Sequence, residues 1–509
     1  MKRIAVIVLS IILALGAMPA GAVFAREGDS GYEGGISSGE VPGKTTMDYQ
    51  EMCFVSGEPI LLKGTLTVRK QMRQDKITST YTYSLRNADK AATLSRVLNF
   101  TTTRTTKDNG QIVEETSYSR TPTETIKIGN TTYSLKSNDF TRSSLVDPKP
   151  AINYFAGNAW GRKVYQAGTA ANGGTVAVEC TGSFYGYDQY WGTAEVEVLN
   201  YTIESDKRNN DGADKWGGTA RVTLSSTITN QLKYYENQPD QISFDGGYVL
   251  IQHNNSILEY TSSLPEFDAA GVATDHVLTK SDSLQIETFP VQKRLLAVDL
   301  SGIRGHWAED DFKLMYGLEV FKGDGRSLKP DQYITKAEFA AAIVQAAKAV
   351  PADPALAPKL TPAGNQNNAK QPVVSPFDDV SIENTYFNQI NDAYKRGLLS
   401  GKGKNLFGPN DTITVAEALA IFIRAVGLES LAPSPQAVTN FRDNDLIPPY
   451  ARNSAYVAEK IGLVQGDERG YLRPGDKLTK ARTAAMLKSF ITYMQDGIKQ
   501  DYRDRIVNY

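Results

Sequence analysis

Gly323-Asp324-Gly325, Leu328-Lys329-Pro330 and Ile334-Thr335-Lys336-Ala337-Glu338-Phe339 form a pattern that this chain writes three times. The second copy reads Gly401-Lys402-Gly403, Phe407-Gly408-Pro409 and Ile413-Thr414-Val415-Ala416-Glu417. The third reads Gly466-Asp467, Leu472-Arg473-Pro474 and Leu478-Thr479-Lys480-Ala481-Arg482. Each copy follows a Gly-Leu pair (Gly317-Leu318, Gly397-Leu398, Gly462-Leu463) and an acidic opening that contains Asp299, Asp379 or Asp443. The glycine of each pair predicts a helix stop, because the left-handed backbone that ends a helix costs glycine least. The apolar residue two before each proline pins a tight loop to a core. Thr335, Thr414 and Thr479 then predict N-caps of a second helix, and Glu338 and Glu417, three residues on, complete capping boxes.

Overlaid on the threonines, the second helices coincide at Ala340, Leu419 and Ala484, then at Ile343, Phe422 and Leu487, then at Ala347, Val426 and Ile491. Steps of three and four trace one apolar stripe per helix. None of the three can bury its stripe alone, so they are expected to pack together.

Three units of this plan resemble the S-layer homology (SLH) domain family. The resemblance covers the C-terminal 40% or so of the chain. It implies a pseudo-threefold α-helical trimer of repeats. It also implies non-covalent attachment to a secondary cell-wall polymer, an anionic and in many cases pyruvylated glycan bound between repeats. The family pattern at the second helix is Thr-Arg-Ala-Glu. Here Lys336, Val415 and Lys480 replace the arginine, and Arg482 replaces the third glutamate. A helix N-terminus with free N–H groups suits an anion, and a cation in its first turn adds a full charge. The groove of Lys336 therefore ranks first, that of Lys480 with Arg482 second, and that of Val415 as structural. Trp307 reads as a core or interface aromatic ahead of a sugar-stacking one. Asp299, Asp379 and Asp443 read equally as glycan contacts or as turn caps.

Upstream the period changes from 3.6 to two. Gly174–Cys180 and Ala194–Leu199 alternate, and Thr78–Leu85 is dense in β-formers. Turn residues recur at Asp108-Asn109-Gly110, Gly129-Asn130 and Asp245-Gly246-Gly247. The expectation is a multidomain chain: an N-terminal all-β region, antiparallel and sandwich- or barrel-like, followed by the helical trimer. A break near Ala151–Arg162 is read as a division into two halves. The boundaries are a signal peptide at 1–25, a flexible lead-in at 26–48 and the β-rich region at 49–298. The first repeat then spans 299–350, a linker 351–376, the second repeat 377–430, a linker 431–439 and the third repeat 440–509.

The signal peptide rests on Lys2 and Arg3, the apolar run Ile4–Gly16 and small residues up to Ala25. It predicts export to the cell wall or surface, with no membrane span once removed. Formal net charge is −2, from 55 basic and 57 acidic residues, which gives no basic face for nucleic acid. Export permits a disulfide between Cys53 and Cys180, against the alternative of two buried thiols. The three histidines, His253, His276 and His306, lack metal-ligand spacing, so no metal or cofactor is expected. Asn209-Asn210-Asp211-Gly212 is partly like a calcium loop, but Lys207 holds the first ligand position and a plain turn is preferred. With no catalytic motif in sight, the β region is read as structural or adhesive, self-assembling on the surface, and not an enzyme. The alternative is a wall-anchored enzyme acting on polysaccharide.

Overall fold

The computed structural model describes residues 31–39, 45–73, 75–169, 173–209, 212–236, 246–269, 271–286, 288–347, 375–435 and 437–507. The expected signal peptide, residues 351–374 of the first linker and Asp211 of the calcium-like turn lie outside the described residues. Strands β1 (Gly35–Ser37), β2 (Thr46–Cys53), β3 (Ile60–Arg73), β4 (Lys76–Asn87), β5 (Ala92–Thr106), β6 (Ile112–Tyr118), β7 (Thr123–Ile128) and β8 (Thr131–Pro148) open the fold. They are followed by β9 (Asn153–Ala167), β10 (Gly174–Gln189), β11 (Gly192–Asn209), β12 (Gly212–Tyr235), β13 (Gly247–Phe267), β14 (Ala273–Ile286) and β15 (Val291–Arg294).

All belong to one antiparallel meander, β1 to β14 in order, with β7 set between β5 and β8 and β15 beside β13. The sheet curls until β1 touches β12, β13 and β14. Leu66, Tyr83 and Leu98 from its first strands thus share one core with Ile203, Val222 and Leu258 from its last. Alternation dictates which side chains enter. In β4, Tyr81, Tyr83 and Leu85 are buried while Thr82, Ser84 and Arg86 face water. The break expected near Ala151–Arg162 is corrected: β9 runs through it, paired with β8 and β10. The flexible lead-in is corrected as well. Gly31–Gly39 lies inside the curl, and a Cβ on Gly31 or Gly35 would stand 1.8 Å from Tyr83 Oη or 2.2 Å from Tyr49 Oη. Only glycine lets the backbone pass so close.

The helical region follows: α1 (Glu309–Gly317), α2 (Lys336–Ala347), α3 (Phe387–Lys395), α4 (Val415–Val426), α5 (Arg452–Lys460), α6 (Lys480–Thr492), a π-turn at Tyr493–Gly497, and α7 (Ile498–Val507). In each unit the first helix packs on a second helix: α1 on α6, α3 on α2 and α5 on α4. The three second helices meet through Phe339, Phe422 and Phe490, with ring centroids 5.8 and 5.1 Å apart. Gly397 and Gly462 take left-handed backbone at the first-helix ends. In the first unit that conformation falls to Glu319. Gly317 instead gives room, its virtual Cβ lying 3.4 Å from Leu295 and Leu296.

The β region holds the C-terminal ends of α2 and α4 and the π-turn that follows α6. Trp191 Nε1–H donates to Ala346 O at 2.9 Å, and Gln189 Nε2–H to Met494 O at 2.7 Å. Ala151 N–H and Tyr154 Oη–H donate to Ala425 O and Val426 O at 2.8 and 2.9 Å. Terminal carbonyls lack intrahelical partners and are costly to bury unpaired. Tyr154, Tyr187 and Trp191 therefore belong to the same hydrophobic core as the helices. Trp191→Ala should destabilise the chain by about 3–5 kcal/mol. Urea unfolding followed by far-UV ellipticity and by fluorescence should show sheet and helices shifting together; a shift confined to one signal would contradict the shared core.

Candidate functional site

The first turns of α2, α4 and α6 are built alike, from one unit into the next. Lys336 and Ala337 donate their backbone N–H groups to Asp411 O and Pro409 O of the second unit, at 2.8 and 3.1 Å. Val415 and Ala416 donate to Asp476 O and Pro474 O of the third, both at 3.0 Å. Lys480 and Ala481 donate to Gln332 O and Pro330 O of the first, both at 2.9 Å. The cycle is closed. The next N–H of each helix is held by Thr335, Thr414 or Thr479 Oγ1 at 3.2–3.3 Å, and Glu338 and Glu417 return bonds to Thr335 N and Thr414 N. The expectation of free helix N–H groups for an anion is thereby corrected: the neighbouring loop accepts them.

The side chains follow the same cycle. Lys336 Nζ lies 3.1 Å from Glu417 Oε1, and Lys480 Nζ 3.0 Å from Glu338 Oε1. Continued by one step, the same cycle matches Val415 with Arg482, the two departures from the family pattern. Both lysines are taken by carboxylates instead of projecting freely. Arg482 is not so neutralised: it donates to Leu472 O at 3.2 Å, and Asp476 Oδ2 stands 3.9 Å away. Burial pushes its pKa down from the ordinary guanidinium value, with Arg473 adding to the effect.

Tyr386 and Tyr450 sit within electrostatic reach of Glu338 and Glu417, beside two of the three N-caps. Trp307 lies just before α1, the helix that packs on α6. The core or interface reading of Trp307 is corrected: it is 65% exposed, with His306 against its ring at 5.5 Å. A cleft of about 290 Å³ runs past Tyr386, Glu338 and Lys480. The aspartates behave as loop fasteners. Asp379 accepts from Phe407 N and Gly408 N at 2.8 and 2.7 Å, and Asp443 from Leu472 N and Arg473 N at 2.9 and 2.7 Å. Asp299 accepts from Ser301 N and Arg326 Nε.

A second site lies inside the β curl and escaped the reading of the sequence. Arg96 occupies an inward position of β5, between Leu94 and Leu98, directly across from Glu124 of β7. Its Nη1 and Nη2 donate to Glu51 at 2.8 and 2.9 Å, and Nη2 also to Glu124 at 2.8 Å. Lys163 joins Glu124 at 2.8 Å and also pairs with Glu33, from the glycine-rich segment. Burial pushes Glu51 up from the usual carboxylate range, with Arg96 pulling the other way. Arg96 and Lys163 hold Glu124 well below that range. Around the cluster lies a cavity of about 100 Å³ with Trp160, 37% exposed, among its lining residues. Cys53 and Cys180 also line it as free thiols, each pushed up to about 12 by burial, which corrects the disulfide. The signal for this cluster was parity: Glu51, Arg96 and Glu124 are charges on inward-facing strand positions.

The S-layer homology domain matches residues 299–340 and 376–419, so the chain carries two clear repeats of that family. It is 29% identical over 193 residues to Exoglucanase XynX of Acetivibrio thermocellus, covering 38% of this chain and 16% of the relative. It is 30% identical over 188 residues to Amylopullulanase of Thermoanaerobacterium thermosulfurigenes, covering 36% and 9%. It is 24% identical over 187 residues to Endoglucanase of Bacillus sp. (strain KSM-635), covering 36% and 18%. The chain thus spans less than a fifth of the length of these relatives. Their names overturn the expectation that this chain is not an enzyme. Among the described residues no helix is long and apolar enough to cross a membrane.

The folded pKa of Glu124 lies below its unfolded one, so its stabilisation is present above about pH 4.3 and lost as pH falls through the folded value. Glu124→Gln should cost about 3–5 kcal/mol near pH 7, since it leaves Arg96 and Lys163 short of a buried partner. That deficit should shrink at pH 3 in urea titrations; an equal deficit at both pH values would refute the ion-pair role.

Proposed function

We propose that this chain is a wall-anchored protein of the bacterial surface whose β region acts on polysaccharide. The matched repeats support the anchor, and the helical region from Phe441 on supplies a third unit of the same plan. Its ligand is an anionic wall glycan, the pyruvylated polymer being the finer reading. The observation that carries the choice of groove is the unequal state of the three cations. Lys336 and Lys480 are neutralised at 3.1 and 3.0 Å, whereas Arg482 has its nearest carboxylate at 3.9 Å, and the exposed Trp307 precedes the helix that packs on α6. A guanidinium suits a carboxylate by its planar fork, and the indole face suits a sugar ring. Arg482→Ala should therefore weaken sedimentation of the full chain with purified walls at least tenfold, and Lys480→Ala much less. Val415→Lys combined with Arg482→Glu rebuilds the third ion pair, so it should keep the fold and lose wall binding. Loss on Lys480→Ala with full binding by Arg482→Ala would move the ligand to the other cleft.

The reading of the β region as acting on polysaccharide is supported by the names of the relatives and by the charged cavity. Glu51 and Glu124 both accept from Arg96 Nη2, at 2.9 and 2.8 Å, so two carboxylates stand close together, as glycoside hydrolysis requires. One is pushed up by burial and the other pulled down by two cations, as an acid and an ionised partner require. Trp160 offers a stacking face for a sugar at the same cavity. The full chain should release reducing ends from at least one polymer in a panel of glucans, pullulan and wall glycan, and Trp160→Ala should raise KM severalfold without loss of fold. No release from any polymer would overturn this half of the proposal and leave the anchor standing.

A further inference from the structure

β14 is the last strand of the sheet path. β13 covers one of its edges from Val277 to Ile286 without a break, and among the described residues no second strand pairs with β14, although β1 touches it. Asp275 to Ser283 are exposed on both faces, with Val277 68% and Leu278 45% exposed. Long unpaired edges are ordinarily blunted by proline, bulges or several charges, because they template further strands. This one carries no proline, and its charges, Asp275, Lys280 and Asp282, are of mixed sign, so they do not by themselves repel a second copy. Just beyond its end, Phe289 is 97% exposed.

We propose that β14 is a self-association edge: two copies of this chain pair their β14 strands antiparallel about a two-fold axis at Ser281. A homodimeric antiparallel pair must place some residue opposite itself, since the axis crosses the sheet between equivalent positions. With Ser281 at the axis, Lys280 of each copy faces Asp282 of the other, giving two opposite-charge pairs. Leu278 faces Leu284, and Thr279 faces Ser283. Opposite charges and apolar residues directly across an antiparallel pair are favourable, and like charges there are not. The adjoining symmetric registers are repelled from both sides: one sets Lys280 on Lys280, the other Asp282 on Asp282.

The test uses the full chain. Light scattering after size exclusion should show a dimer at micromolar concentration. Lys280→Asp should raise its dissociation constant at least tenfold, and Lys280→Asp with Asp282→Lys should restore it. Ser281→Cys should be joined across the axis by a short bis-maleimide, and Val277→Cys, which faces Gln285, should not. Far-UV ellipticity checks that each variant is folded. A monomer at every concentration, a dimer indifferent to Lys280→Asp, failure of the charge swap to restore it, or equal crosslinking at both cysteines would each overturn the proposal.

Discussion

The ends of three helices govern this molecule. An α-helix leaves about four N–H groups unpaired at its start and four carbonyls at its finish, and α2, α4 and α6 are packed too tightly for water to serve all of them. The N-terminal ends are satisfied by handing each helix to the loop of the next unit, a cycle that works only when three units are present. The C-terminal ends are satisfied by the β10–β11 turn, by Ala151 and by Tyr154. The helical region is thus closed at one end by itself and at the other by the sheet.

That closure changes what a helix start can do. Backbone N–H groups already bonded to Pro409, Pro474 and Pro330 carbonyls keep some of the helix dipole but have no hydrogen left to donate. An anion must then be read by side chains. Side chains in the three grooves are not equivalent, because the lysine of one unit meets the glutamate of the next. Where both members of the pair are kept, charge cancels. Where valine and arginine stand instead, a cation is left over.

Much of this was legible in the sequence, and the gaps have physical causes. The recurrence around Thr335, Thr414 and Thr479 announced the three helices and their apolar stripes, since caps and 3.6-residue spacing are local. Val415 and Arg482 were visible as departures, but not as partners: they lie in different units, and only the direction of the cycle says which unit faces which. Trp307 was misplaced for a related reason, because nothing local tells whether an aromatic before α1 turns toward its own unit or out over α6. In the β region alternation gave the strands, whereas Gly31–Gly39 read as a loose lead-in because glycine content suggests freedom. Here the same glycines are what allow a backbone to fit between Tyr49 and Tyr83.

The buried charges of the sheet follow from that insertion. Arg96 on the inward row of β5 would be prohibitively costly alone. It is tolerated because Glu51 and Glu124 approach from β2 and β7, and because the glycine-rich segment carries Glu33 to within 3.4 Å of its Nε. Three carboxylates then share two cations, and the surplus is relieved by the upward push on Glu51, which lets that site hold a proton. A cavity with one carboxyl inclined to keep its proton, and another held ionised, arises from charge balance in a closed space before any substrate is considered. The N-terminal segment adds to this balance, because the charge of Glu33 joins burial in pushing Glu51 up.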